Sequence, residues 1–414
     1  MKLHKHITIL LSALLLTSCG ANPPVDSTSS SHTLGEQTVS IQYLGQEEPF
    51  GCGNSSGYYY LDTLDGGASL LRYVDYATRQ DVPLCSQPNC THNDEKCPAW
   101  FAYGGTTLNV YATDKQLLIC FNGSPWDSSA FAEYGEAALP RVFTLELDGS
   151  ACQEVARFDA PDAFSSMPAF DGQILYTIVT SYDEGDGYGS KAITAIDLAT
   201  GKKKTDDSIQ RRELRIVGAA GRELVLESMV SDTLTAYAAY NVDSGKLRDL
   251  YNESQQVSAV FRNGKLFLLE VDSGVLRCID VATGAETTLS TDLLNSRSLD
   301  WVCLAFVTDT GYVVQAHENG TACNFLIDKS GKTTKQDLWA DSTDSHDKMR
   351  MLNIFAQTDS GYLVSPSRTF HTVNVPGPEG VTYGVDQVKY AFALISPEDF
   401  WSSNPNYQPV SRLE

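Results

Sequence analysis

Basic residues are scarce in this chain: 30 Lys and Arg stand against 52 Asp and Glu, for a formal net charge of -22 at pH 7. A surface of that sign repels phosphate backbones and anionic headgroups, which excludes nucleic acid and favours neutral or cationic partners. Long apolar runs are missing as well. The run at the front, Ile7 to Leu16 broken by Thr8 and Ser12, is too short to cross a bilayer. No stretch keeps a helical period between caps. Motifs that announce catalysis are also absent: there is no Gly-x-Ser-x-Gly elbow, no His-Glu-x-x-His, no P-loop and no dinucleotide Gly-x-Gly-x-x-Gly after a strand. Ser345-His346-Asp347-Lys348 matches Ser-x-x-Lys, but it lies in an acidic segment without its companion motifs and reads as chance. Carboxylates meeting from distant parts of the chain would escape this search.

What is present begins at the leader. Lys2, His4, Lys5 and His6 precede the apolar run and Thr17-Ser18-Cys19 follows it, the layout of a signal peptide. Leu16-Thr17-Ser18-Cys19 resembles the lipobox of bacterial lipoproteins, in which small residues admit the peptidase and the Cys thiol is acylated. The resemblance implies removal of residues 1–18, lipidation of Cys19 and stable two-chain anchoring to the cell membrane on its extracytoplasmic face. Cleavage would take Lys2 and Lys5 and leave -24 on the mature chain. Residues 19–36 are rich in Ser, Thr, Pro and Asn and read as a lipidated flexible tether, with residues 37–414 as the folded body.

That body is organised around Val257 to Ser290, which reads as four short strands. Ser258-Phe261 runs to a tight turn at Asn263-Gly264, and Leu266-Val271 and Val275-Asp280 follow. Ala282-Thr283-Gly284 then turns into Glu286-Leu289. The first turn recurs at Gly57, Lys115, Gly172, Gly221, Gly264, Gly311 and Gly361, and the clear glycines from Gly172 onward are 43 to 50 residues apart. The second turn recurs at Asp197-Gly201, Asn241-Gly245, Asp280-Gly284, Asp148-Gly149 and Asp328-Gly331. In these an Asx side chain can accept from amides two residues on. The spacing is that of four-stranded propeller blades and predicts an all-β fold: a single seven-bladed β-propeller, monomeric, about 370 residues long because each blade packs mainly on its neighbours. A ring must close. Val39-Leu44 and Tyr407-Val410 are the candidate closing strands.

After the first blade comes Cys85-x4-Cys90-x-His92-x4-Cys97. Cys3His fills a zinc tetrahedron and leaves no open position, so Cys85, Cys90, His92 and Cys97 are candidate ligands of a structural zinc; a disulfide among the three Cys, with His92 incidental, is the competing reading in an extracytoplasmic space, and unpaired thiols are the third. Ten Cys less an acylated Cys19 leave nine, and setting the cluster aside leaves Cys52, Cys120, Cys152, Cys278, Cys303 and Cys323, an even number. Several of these, notably Cys120 in Leu117-Leu118-Ile119-Cys120-Phe121, read as buried free thiols. The lipobox, tether, repeats and Cys/His segment together resemble uncharacterised bacterial β-propeller lipoproteins with TolB-like or WD40-like repeats, a resemblance that implies no activity.

Long aromatic and Gly-rich insertions are the candidate recognition loops: Trp126, Phe131 and Tyr134 in the second blade, Tyr182 and Tyr188 in the third, and Phe370, His371 and Tyr383 in the last. Asp183, Glu184 and Asp186 lack a full calcium pattern and read as a solvated loop, and Asp341 to Asp347 reads as a mobile linker between blades. The leading functional reading is a membrane-anchored, non-catalytic binding or scaffold module for glycan, peptide or protein. The alternatives are a glycan-active hydrolase or lyase using carboxylates at the propeller channel, and an envelope scaffold offering a groove or sheet edge.

Overall fold

The central repeat folds as four antiparallel strands, Val257–Arg262, Lys265–Glu270, Leu276–Asp280 and Glu286–Ser290, paired in chain order. The computed structural model describes residues 39–45, 51–123, 134–182, 189–209, 211–231, 234–252, 256–295, 297, 299–342, 349–377 and 380–414. Seven sheets, four of four strands and three that add strands to reach six, make a seven-bladed β-propeller. Blade 1 starts at Gly51–Gly53, blade 2 at Leu108–Ala112, blade 3 at Ala169–Phe170 and blade 4 at Arg212–Ala220. Blade 5 is the central repeat, blade 6 starts at Trp301–Val307 and blade 7 at Ile354–Thr358. No helix among the described residues is long and apolar enough to cross a membrane.

Each predicted first turn joins a blade's innermost strand to its second, and short-range side-chain bonds hold several of them. Asp171 Oδ1 accepts from the Gln173 and Ile174 amides at 3.1 and 2.7 Å, and Asn54 Oδ1 accepts from those of Ser56 and Gly57. Thr113 and Thr308 do the same with a hydroxyl. First turns of adjacent blades also bond one another: Asn54 Nδ2 to Thr113 O, Arg222 to Asp171, Arg262 to Asp309. They therefore share one face of the ring, and the turns between second and third strands share the other. The second predicted turn joins third and fourth strands. Blade 1 adds a copy that carries no Gly, where Asp75 Oδ1 accepts from Ala77 and Thr78 and Arg79 takes the left-handed backbone at φ 55. In blade 7 the place of this turn is taken by the helix Pro397–Trp401, capped by Ser396.

The second strands carry apolar runs, such as Leu224–Leu226 and Leu266–Leu269, because both of their faces are buried there. In Lys265–Glu270, Leu266 and Leu268 pack toward blade 4 with Val225 and Tyr237, while Phe267 and Leu269 pack toward blade 6 with Tyr312 and Val314. Equivalent layers lie between blades 3 and 4, 6 and 7, and 7 and 1, and one larger layer joins blades 1, 2 and 3. Cys52, Cys120, Cys278 and Cys323 are buried within this packing, and none of the nine described cysteines is in a disulfide.

Ring closure falls to the C-terminus. Gln408–Pro409 is the outer strand of blade 7, and Ser411–Arg412 then runs parallel to Gln80–Asp81 on the outer strand of blade 1. The other candidate, Val39-Leu44, does something different: Gln42–Tyr43 pairs with Ala169–Phe170 on the inner edge of blade 3 and lies in the central channel. It enters from the first-turn face, where Ile41 donates to Gly221 O and Arg222 to Val39 O. Tyr43, Gly45 and Phe306 line both of two channel cavities, of about 320 and 380 Å³, so the channel is partitioned.

Candidate metal centre and ligand cleft

The Cys/His segment interrupts the outermost strand of blade 1. Gln80–Pro83 pairs with the third strand, Ser69–Asp75, and the Leu84 amide still donates to Leu71 O; the chain then leaves the sheet and returns at Trp100–Phe101 against Ser69–Leu70. Left-handed backbone at Asn89 and His92, φ 59 and 55, curls the excursion back on itself. Amides of Cys90 and Cys97 donate to Gln87 O and Asp94 O. The result gathers all four candidate ligands, with Sγ of Cys85, Cys90 and Cys97 and a ring nitrogen of His92 within 4.8 Å of one another. His92 Nδ1 is 3.4 Å from Cys97 Sγ. Cys97 is buried and the other three are half-buried. The His92 amide, aimed at Cys90, lowers that thiol's pKa, whereas burial pushes the Cys97 thiol up to about 12. The donor set is that of a closed zinc site.

A second feature was not legible in the sequence. The segment of blade 7 expected to form a recognition loop is a strand hairpin, Gly361–Pro376 and Thr382–Ile395, which runs past the blade after a register shift at Val364/Ser367. Every residue stays paired from Ser367↔Ala391 out to Pro376↔Thr382. Its far end is tied down: Asp65 Oδ1 accepts from Asn374 N and Nδ2, Gly66 N donates to Asn374 O, and Tyr134 OH donates to Pro376 O. Beneath it opens a cleft of about 480 Å³. Blade 7 lines it with Phe355, Tyr390 and Phe392, blade 1 with Tyr58, Tyr60 and Asp62, and the connector to blade 2 with Tyr103 and Thr106 to Leu108. The rings form a nest, with Phe355 and Tyr390 centroids 4.9 Å apart and Tyr60 and Phe392 5.4 Å apart. Arg412 from the closing strand enters the cleft, donates to Tyr60 OH and pairs with Asp62. Burial, with the Asp81 carboxylate beside it, holds the Tyr60 phenol well above its usual range, so it is neutral near pH 7.

The sequence-predicted residues divide accordingly. Tyr134 stands at the rim, edge-on to Tyr103 at 5.4 Å. Phe370, stacked with Arg368, and the exposed His371 and Tyr383 lie on the hairpin strands and are not among the cleft's lining residues. Tyr182, half-buried, belongs to blade 3 and is not brought to the cleft. Cys19, Trp126, Phe131, Tyr188 and the acidic groups of 183–186 and 343–347 lie outside the described residues. Of the cleft, the signal available was Tyr58-Tyr59-Tyr60: on a strand, Tyr58 and Tyr60 share a face, and they look toward blade 7 while Tyr59 packs toward blade 2.

No protein-family model matches the sequence, and a search of curated proteins finds no match. Among solved structures, the chain is similar to a prolyl endopeptidase over 85% of its length at 11% identity and a TM-score of 0.48. An oligogalacturonate lyase from Vibrio parahaemolyticus is similar over 80% of this chain and 91% of its own, at 10% identity and a TM-score of 0.43. For the β-propeller domain of the Trilobed protease from Pyrococcus furiosus the values are 68%, 77%, 11% and 0.41. The chain spans about half the length of the prolyl endopeptidase and of a puromycin hydrolase that it also resembles, 50% and 53%. Every one of these scores is below 0.5, and the propeller assignment rests on the strand pairing itself.

Proposed function

We propose that the protein is a lipoprotein held at the extracytoplasmic face of the cell membrane through Cys19, and that its propeller is a non-catalytic module binding a glycan or a peptide in the cleft between blades 7 and 1. The observation that carries the binding reading is the cleft: about 480 Å³, walled by a pinned hairpin and lined by six aromatic rings with a few polar groups among them. Rings of this kind stack on sugar faces and on peptide side chains. Display is supported by the chain path. Val39 meets the ring on the first-turn face, while the far ends of the hairpin strands, Pro376 and Thr382, lie on the opposite one. The Cys/His centre is a structural zinc site, since four protein ligands leave no coordination position for a substrate.

The hydrolase or lyase reading draws less support. Among the described residues lining the two channel cavities the carboxylate is Asp359, and in the cleft Asp62 is paired with Arg412 while Asp386 accepts from the Thr372 hydroxyl. Titration of the protein against panels of surface glycans and peptides, with Tyr390→Ala beside it, tests the module. A ligand that loses tenfold or more in affinity on that substitution supports it. Turnover of a panel member would replace it with the enzymatic reading, and binding indifferent to Tyr390→Ala would remove the cleft. Intact mass from a lipoprotein-competent host checks the anchor, which fails if the mature chain starts anywhere but an acylated Cys19.

A further inference from the structure

We propose that the zinc held by Cys85, Cys90, His92 Nδ1 and Cys97 is a strut for the ligand cleft: it keeps the connector behind Cys97 seated as one wall, so that binding there depends on the metal. This rests on the zinc centre and the cleft of the preceding reading and adds a coupling between them.

The centre is nearly closed already. Tetrahedral zinc with sulfurs at about 2.3 Å sets S···S edges of about 3.8 Å. The donors here lie within 4.8 Å of one another, so shifts of about 1 Å or less complete the site. A single residue separates Cys90 from His92, which brings in the ring nitrogen nearer the backbone, and Nδ1 is the atom that faces Cys97 at 3.4 Å. Binding releases one proton from each of the three thiols and leaves a centre of charge -1 around the neutral imidazole.

The excursion has little else to hold it. Residues 86 to 96 are mostly exposed, and their bonds are local, Cys90 to Gln87, Lys96 to Asp94, Thr91 to Asn93. The ligands are its inward-facing groups: Cys97 is 1% exposed, and Cys85 and Cys90 pack against the layer that joins blades 1 and 2. Small loops of this composition take their folding energy from the metal.

Cys97 also begins the connector that leads to the wall. Its carbonyl accepts from Trp100 N, and the wholly buried Ala99 accepts from Leu71 N at 2.8 Å. Trp100–Phe101 then pairs with Ser69–Leu70. Two residues further on, Tyr103 stands over Gly67, where a Cβ would meet the ring at 2.9 Å, and presents its ring to the cleft, followed by Thr106, Thr107 and Leu108. Freed of its ion, the excursion would pull on this short strand from one end, and a two-residue pairing has few bonds with which to resist.

Hydrogen exchange on the full chain decides the matter, read with zinc bound and after stripping with a chelator, together with native mass spectrometry. One zinc per chain is expected, absent in Cys90→Ser and retained in the control Cys152→Ser. Stripping should raise exchange at the amides of Leu71 and of residues 99–108 by tenfold or more while those of blade 5, 257–290, stay unchanged. One zinc with unaltered exchange in 99–108 overturns the strut and leaves the metal centre standing. No zinc, with a mass two hydrogens light from a disulfide among Cys85, Cys90 and Cys97, overturns both, and binding to the cleft is then judged by Tyr390→Ala alone.

Discussion

Replacing Asp81 with Ala should unfasten the ring where its two ends meet. Asp81 and Arg72 form an ion pair with Nε to Oδ1 at 2.9 Å, and the two side chains are 2% and 1% exposed. Arg72 Nη2 also donates to Leu413 O at 2.7 Å, and Asp81 Oδ2 accepts from Tyr60 OH at 2.8 Å. The pair therefore clamps blade 1 to the closing strand. Removing the carboxylate strands a guanidinium with almost no solvent, which costs about 3–5 kcal/mol, and the orphaned Tyr60 hydroxyl adds about 1 kcal/mol. The double replacement Arg72→Met/Asp81→Leu removes both charges and refills the volume, so it should lose far less than the sum of the single changes, by about 3 kcal/mol or more. Glu154→Ala is the control: its pair with Arg157 is about a third exposed, and losing it should cost below about 1 kcal/mol. Guanidinium unfolding followed by tryptophan fluorescence reads these three variants, and the single changes Arg72→Met and Asp81→Leu, from the midpoint at constant slope. A loss under about 1 kcal/mol for Asp81→Ala, or additivity in the double variant, would refute the idea that this pair holds the ring shut.

Two glycine turns separate backbone strain from crowding. Gly201→Ala meets Val155 O at 2.4 Å as well as φ 68, whereas Gly221→Ala, at φ 58, meets nothing within 4 Å. Thermal unfolding should show a cost of about 1 kcal/mol for Gly221→Ala and clearly more for Gly201→Ala; equal costs would mean that the Cβ contact is relieved for free. Asp206 supplies a pH signature. Hydrogen bonds from the Ser208 side chain, the Tyr240 hydroxyl and the Ser208 amide hold its carboxyl below the usual range. A depressed folded value stabilises the fold above the unfolded pKa of about 3.9, and that contribution disappears as pH falls through the folded value. Denaturation midpoints of Asp206→Asn should thus fall below those of the wild type near pH 7 and converge with them at strongly acid pH; a constant gap would contradict the assignment.

The blade count could be read along the chain because each turn is held by bonds spanning two to four residues. Asp171 to Gln173 and Asp280 to Thr283 are examples. Such bonds leave a local pattern of Asx and Gly, and where Gly was replaced, as at Arg79, the pattern weakened while the turn persisted. The apolar second strands carried the same kind of information, since a strand buried on both faces cannot alternate. The four candidate ligands Cys85, Cys90, His92 and Cys97 were equally legible, falling within thirteen residues of one segment.

The chain's own text thus determined seven four-stranded units, the places of their turns and the Cys/His set. Tertiary structure alone decided which end closes the ring, where the first strand goes and where a ligand can sit. Arg72 and Leu413 are 341 residues apart, and Asp65 and Asn374 are 309 apart. Contacts at such separations leave no periodic trace in a single sequence, because what selects them is the packing of one blade against the next around a closed circle.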